Sequence, residues 1–195
     1  MNTEILTAVA LGIGLSASTG FRVFVPMLVA SVAAHFGILP LSNSFHWMGS
    51  WAAIISFGTA TVMEIAAYYI PFVDNLLDTI TTPLAIGAGT LLMTSVLPVD
   101  NELVRWITGF VVGGGAAATI QSGSVVSRLT SSKLTAGAGN PIVSTGENIA
   151  ALGGSVLSLF IPVIIAALFI IAAFAIFRML YLWRRRKKRE KEAVA

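Results

Sequence analysis

Residues 149–177 read IAALGGSVLSLFIPVIIAALFIIAAFAIF, a stretch of 29 residues that contains no charge. A transmembrane helix rises about 1.5 Å per residue and needs roughly 20 apolar residues to cross the hydrocarbon core of a bilayer. The stretch exceeds that minimum, so it predicts one membrane span from Ile149 to Phe177 that crosses with some tilt.

The residues that follow this stretch predict its orientation. Arg178, Tyr181 and Trp183 come first, and RRRKKR occupies positions 184–189. Aromatic residues are enriched at membrane interfaces, and clusters of Lys and Arg stay on the cytoplasmic side. We therefore predict a transmembrane domain over residues 1–177 and a basic cytoplasmic tail over residues 178–195, in a multi-pass protein of the inner membrane. Its first partner is the lipid bilayer.

The composition indicates the same class of protein. Of the 195 residues 56% are hydrophobic and 11% are charged, whereas a soluble domain carries about 25% charged residues. The net charge of +3 comes from the tail, because the first 177 residues hold four basic and seven acidic residues. The basic balance is therefore no sign of nucleic-acid binding. The chain has no cysteine, which excludes disulfides, thiolate catalysis and cysteine-ligated zinc. We expect no cofactor.

Four further apolar regions precede the last span, at residues 5–36, 47–70, 82–96 and 103–126. The first is interrupted by SASTG at residues 16–20, so we interpret it as two helical pieces. Irregular backbone at membrane depth persists only where protein or a wet cavity covers it. The predicted fold is an all-α, polytopic transmembrane helix bundle of about five spans with broken or re-entrant helices.

Local signals add three expectations within these regions. The pair Thr82–Pro83 matches an N-cap and a first-turn proline, so it predicts the start of a new span. Gly109 and Gly113 have the spacing of small residues at which helices approach closely. Residues 127–147 are polar and are predicted to link the last two spans.

Two charges lie inside apolar regions. Arg22 follows the break in the first region, and Glu64 lies within the second. A charge at membrane depth costs several kcal/mol, roughly 2.5–3.5 on insertion scales, unless it is paired or hydrated. Arg22 either binds an anionic group or caps a helix end beside an acid. Glu64 either couples transport to protons or is held in an ion pair with Arg22 or a hydrogen bond to a neighbouring helix.

Asp74 and Asp78 are four residues apart and so share one helix face. Such a pair of carboxylates could hold a cation or share a proton. The plainer interpretation is that Asp74 lies in a first helical turn, where a negative charge suits the helix dipole.

Asn140 and Glu147 lie in the polar segment before the last span. Ser144 and Glu147 have the spacing of a capping box, which favours a structural role for Glu147. Asn140, with glycines before it, could instead line a re-entrant loop. Both stay among the candidates for solute binding or proton coupling, which are Arg22, Glu64, Asp74, Asp78, Asn140 and Glu147.

Three segments carry a family resemblance: SASTGFRVFVP at 16–26, YIPFVDNLLDTITTP at 69–83 and TAGAGNPIVSTGE at 135–147. Together they resemble an uncharacterised bacterial family of membrane proteins, the domain of unknown function 4126, over nearly the whole chain to about residue 175. The resemblance implies a membrane location but no activity. It marks Arg22, Asp74, Asp78, Asn140 and Glu147 as motif positions. An arginine expected beside the proline after the aspartates is absent here, where Thr82-Pro83-Leu84 stands.

Polar residues and helix breaks that cluster in apolar regions are typical of transporters. Our leading hypothesis is a small transporter or channel for an ion or small solute, assembled as a homo-oligomer because five spans are few. One alternative is a membrane enzyme acting on lipid head groups, with a divalent metal at Asp74 and Asp78. Another is a non-catalytic membrane scaffold. The sequence does not identify the solute.

Overall fold

The computed structural model describes residues 3–70, 73–135 and 137–194, and the side chains of all of these except 73–76, 78, 180 and 183–194. The fold is all-helical, with 85% helix and no strand in the described ranges. The helices are α1 Thr3–Ser18, α2 Phe24–His35, α3 Trp51–Ala67, α4 Val73–Val96, α5 Glu102–Thr108, α6 Gly115–Thr135, α7 Asn140–Phe160 and α8 Pro162–Val194. A 3-10 helix, Asn43–Gly49, precedes α3, and a π-helical segment, Gly109–Gly114, joins α5 to α6.

Three segments of the described chain are long and apolar enough to cross a membrane: Thr79–Val96, Glu102–Thr135 and Pro162–Met179. The 3-10 helix and α3 add a fourth if they form one span, although they meet at an angle of 63°. This composition is compatible with a membrane protein, as predicted. The expected number of about five spans is not confirmed.

Helix α7 buries polar side chains and exposes apolar ones, which is the reverse of a surface helix in a soluble protein. The buried face of α7 carries polar residues at helical spacing, among them Asn140, Ser144 and Ser155. Its opposite face exposes large apolar side chains, with Ile142 at 77% and Ile149 at 68% of their accessible surface. Contiguous exposed apolar surface of this kind indicates contact with a membrane or another protein.

Helices α1 and α2 form a hairpin that enters the bundle and turns back. Except for Ile13, all of residues 10–20 are buried, so the second half of α1 is surrounded by protein. Gly12 packs against Met93 near the end of α4. The last residue of α2, His35, lies at the same end of the bundle as the end of α4. The Nδ1 of His35 lies 2.8 Å from the carbonyl oxygen of Gly49, in the connection between α2 and α3. In the same connection, the backbone N–H of Ser42 donates to the carbonyl of Ser95 in α4. The predicted break near residues 18–21 is confirmed, since α1 ends at Ser18.

Three boundary predictions are wrong. Residues 149–177 are two helices, because α7 ends at Phe160 and α8 begins with Pro162, whose missing N–H suits a first helical turn. Thr82–Pro83 begins no helix: Pro83 lies inside α4. Most of residues 127–147 are helical rather than a loop, since α6 runs to Thr135 and α7 starts at Asn140.

The prediction of close helix approach at Gly109 and Gly113 is confirmed. A Cβ atom at Gly113 would collide with Gly89 and Met93 of α4, and one at Gly109 would lie 3.0 Å from the Thr90 carbonyl oxygen. The π-helical segment and α4 therefore touch through backbone atoms. Such small-residue contacts hold membrane helices together where no hydrophobic force acts between them.

We predict that Gly113→Ala destabilises the protein whereas Gly115→Ala does not. Alanine is favoured over glycine in a helix by about 1 kcal/mol, but overpacking at Gly113 is expected to cost about 1–3 kcal/mol because α4 must move. Gly115 is the matched control, because a Cβ atom added there would meet no packed neighbour within 4 Å. Thermal unfolding in detergent should show a lower midpoint for Gly113→Ala alone. Equal midpoints for the two variants would contradict the packing described here.

Candidate functional site

Arg22 lies in the break between α1 and α2 with 1% of its surface exposed. Its guanidinium donates to Asn148 Oδ1 at 2.6 Å, to the Phe21 carbonyl at 2.9 Å and to the Ser144 carbonyl at 3.3 Å. It also forms a 3.0 Å ion pair with Glu147. Of the two interpretations given for Arg22, the pairing with an acid at a helix break is observed, and the acid comes from α7.

Glu147 lies between two arginines and is 6% exposed. Its Oε2 accepts from Arg22 and from Arg128 Nη2, and its Oε1 accepts from Arg128 Nε at 3.2 Å and from the Ser124 hydroxyl. A carboxylate offers about four acceptor positions, and all of them are used here. The capping-box interpretation of Ser144 and Glu147 is wrong, because α7 begins at Asn140 and both residues lie inside it.

Arg128 and Ser124 belong to this site although neither was among the candidates predicted from the sequence. Arg128 was placed in a polar linker, but it lies in α6 and is 2% exposed. The spacing of Gln121, Ser124 and Arg128 places them on one face of a helix, and all three are buried. That polar stripe was the signal that could have identified them.

Tyr68 connects the two arginines to the rest of the bundle. The guanidinium carbons of Arg22 and Arg128 lie 4.0 Å and 3.8 Å from the centroid of its ring, within the range of cation–π attraction. Its hydroxyl lies 3.1 Å from the Thr81 hydroxyl in α4. Gln121 of α6 donates to the same Thr81 oxygen at 3.1 Å. Helices α3, α4, α6 and α7 and the break thus meet in one buried polar cluster.

Glu64 binds the start of α2. Its two carboxylate oxygens accept from the backbone N–H groups of Val23 and Phe24, at 2.8 Å and 3.0 Å. The first N–H groups of a helix have no partner within it, and a negative charge there is favoured by the helix dipole. Of the interpretations given above, the hydrogen bond to a neighbouring helix is observed.

The remaining candidates are Asn140, Asp74 and Asp78. Asn140 is buried at the start of α7, where its amide donates to Ser132 at 2.9 Å. This bond joins α6 to α7 across their short connection. Asp74 and Asp78 lie in α4, and their side chains are outside the described part of the structure. Among the described residues, no group of three or more His, Asp or Glu side chains has a geometry that could hold a metal ion.

A cleft of about 400 Å³ reaches the cluster from the side of the bundle. Small-molecule sites usually enclose about 300–1,000 Å³. Its walls are mainly apolar and come from α6, α7, α8 and the break, and its polar residues are Ser124, Ser127 and Glu147. Gly20 of the break fits closely against α6, because a Cβ atom there would lie 2.6 Å from the Ala117 carbonyl oxygen.

A family model described as a domain of unknown function (DUF4126) matches residues 9–182. The match includes every residue of the buried cluster and nearly the whole chain, so the chain belongs to this family. The resemblance noted in the sequence is thereby confirmed. No curated protein and no solved structure matches the chain.

We predict that Glu147→Gln strongly destabilises the fold. Removing one partner from a buried ionic network leaves an uncompensated charge, which costs about 3–5 kcal/mol. Glu102→Gln is the matched control, because Glu102 is exposed in the first turn of α5 and its charge contributes at most about 1 kcal/mol there. The free energy of unfolding in bicelles, measured by steric trapping, checks both. A loss below about 1 kcal/mol for Glu147→Gln would show that the network does not hold the helices together.

Proposed function

We propose that this member of the DUF4126 family is a membrane transport protein that moves an ion or a small solute past the break between α1 and α2. One observation carries the proposal: α1 ends and α2 begins inside the bundle, both shorter than a full span, next to Arg22, Glu64, Arg128 and Glu147. Discontinuous helices that present charged ends to a buried polar site are characteristic of secondary transporters.

The cost of this arrangement supports a functional role. Among the described residues, the charged side chains of Arg22, Glu64, Arg128 and Glu147 are each more than nine-tenths buried. Replacing such buried ion pairs by apolar residues is often neutral or stabilising by about 1–4 kcal/mol. A well-packed apolar set of residues could therefore replace the whole network without loss of stability, and ionisable residues inside membrane proteins are functional by default.

The cleft supplies a route between the surface and the cluster. It leads along apolar walls formed by side chains such as Ile120, Val143 and Ile176 to the carboxylate of Glu147. The solute classes considered are an ion, a small anion and a lipid. Among these, the apolar lining favours a solute that has an apolar part. A homo-oligomer in the inner membrane remains part of the proposal, because few of the helices are long and apolar enough to span.

We predict that residue 193 is on the cytoplasmic side and residue 100 is on the opposite side. Clustered Lys and Arg at residues 184–189 favour the cytoplasm, and Gly123 of α6 packs against Ile176, which shortly precedes them. The later part of Glu102–Thr135 is therefore on the cytoplasmic side, and the segment is long enough to place residue 100 on the opposite side. The chain lacks cysteine, so Ala193→Cys and Asp100→Cys each introduce one label site. A membrane-impermeant maleimide should label Ala193→Cys only in inverted vesicles and Asp100→Cys only in right-side-out ones. The reverse pattern would overturn the orientation.

We further predict that the protein transports protons or monovalent ions in liposomes and that this transport depends on the buried carboxylate of Glu64. The purified protein is reconstituted, and proton and monovalent-ion leak is followed with pH- and potential-sensitive dyes. Flux should exceed that of empty liposomes and fall about tenfold or more in Glu64→Gln, since a change of about 1.4 kcal/mol in a barrier is a factor of ten. Asp74→Asn is tested beside it.

Glu102→Gln is the control for the flux measurement, because it removes an exposed acid outside the cluster. Its flux should equal that of the wild type. Folded wild-type protein that gives no flux above empty liposomes would exclude an ion pathway and favour lipid transport or scaffolding.

A further inference from the structure

The two buried glutamates differ in how many acceptor positions remain on their carboxylates. Glu147 accepts four hydrogen bonds, three of them from guanidinium groups. Glu64 accepts two, from the N–H groups of Val23 and Phe24. A carboxylate offers about four positions, so two positions on Glu64 receive no hydrogen bond from the described residues. A proton can bind there without breaking either of these two bonds.

A second, independent observation concerns Thr61. Its hydroxyl oxygen has no hydrogen-bond partner among the described residues, and its surface is 8% exposed. A buried hydroxyl without a partner costs about 1–3 kcal/mol. Thr61 lies three residues before Glu64 on the same buried face of α3, so the two side chains are neighbours along the helix.

The charged and titratable groups that face Glu64 come from several elements. Arg22 approaches from the break and Arg128 from α6, and both act electrostatically on Glu64. Tyr68 lies one turn further along α3. His35 is at the far end of α2, where it binds the Gly49 carbonyl. The acids of α4 that need testing are Asp74 and Asp78, whose side chains are not described.

We propose that Glu64 is the proton-binding group of the transport site and that Thr61 accepts the hydrogen bond of its protonated form. This proposal rests on the proposed function and specifies its coupling ion. A hydronium ion gives up a proton, which forms an O–H bond on one carboxylate oxygen; water is released, and the carboxylate becomes a neutral acid. The new O–H is a donor that needs an acceptor. The unpartnered oxygen of Thr61 is one turn away and becomes that acceptor after a side-chain rotation.

Proton binding at Glu64 then acts on the helix break. A neutral carboxyl no longer offsets the positive end of the α2 dipole and accepts hydrogen bonds more weakly than a carboxylate. Because α2 begins two residues after Arg22, loosening its first turn moves the backbone that carries Arg22. Arg22 in turn holds Glu147 at the cleft. The protonation state of Glu64 thereby affects Glu147 at the cleft, which is the proposed solute pathway.

Infrared difference spectra of the purified protein test the proton site without requiring transport. Lowering the pH should produce a carbonyl band of a protonated, buried carboxyl group in the wild type. The band should be absent in Glu64→Gln and present in Glu102→Gln, Asp74→Asn and Asp78→Asn. A band that persists in Glu64→Gln, or that disappears in either aspartate variant, overturns the assignment. Because this readout is independent of flux, it can fail or succeed separately from the transport assay.

Thr61→Val keeps the shape of the side chain, so it tests the proposal even if Glu64→Gln fails to fold. The carbonyl band should shift to higher frequency, because the protonated acid loses its acceptor. An unshifted band overturns the role of Thr61.

Hydrogen exchange followed by mass spectrometry tests the coupling to α2. Losing a helix cap costs about 0.5–2 kcal/mol, so protection of the peptide containing Val23 and Phe24 should fall by about two- to thirtyfold at low pH, after correction for intrinsic exchange. In Glu64→Gln that protection should be independent of pH. Wild-type protection that does not change with pH overturns the coupling.

Discussion

The ion pairs that Glu147 makes with Arg22 and Arg128 are the constraint on which the bundle depends. They join the break between α1 and α2 to α6 and α7, at a place where all three side chains are almost completely removed from water. A buried charge is tolerated only when it is paired and its hydrogen-bonding groups are satisfied. The positions of these chain segments are thereby linked: none can move without exposing or unpairing a charge.

The polar interior and the apolar exterior have one physical origin. Helices that face an apolar solvent have no hydrophobic reason to associate, so they do so through close packing and buried polar contacts. Gly109 and Gly113 pack closely against α4. Buried polar contacts are made by Ser124, Thr81 and Gln121. The outward faces of α7 and α8 are correspondingly apolar.

The break in the hairpin of α1 and α2 is the feature of this packed bundle that creates the candidate site. A break leaves N–H and carbonyl groups without partners inside a helix, and these must be satisfied where water is absent. Glu64 supplies the acceptors for the start of α2, and Arg22 donates to backbone carbonyls on both sides of the site. The two glutamates therefore differ in their surroundings: Glu147 accepts four hydrogen bonds from side chains, and Glu64 accepts two from the backbone.

The sequence by itself determined the class of the protein and several of its key residues. Apolar runs, the cationic end and the interruption near residue 18 are local properties, and a charge such as Arg22 or Glu64 within an apolar region is visible without any structure. Only the tertiary structure decided which groups meet. Arg22 pairs with an acid 125 residues away, and Arg128 is buried although it lies in a largely polar segment of the sequence. The continuity of α4 through Pro83 and the division of residues 149–177 at Ile161 also escaped prediction, because packing against neighbouring helices decides whether a proline starts, bends or ends a helix.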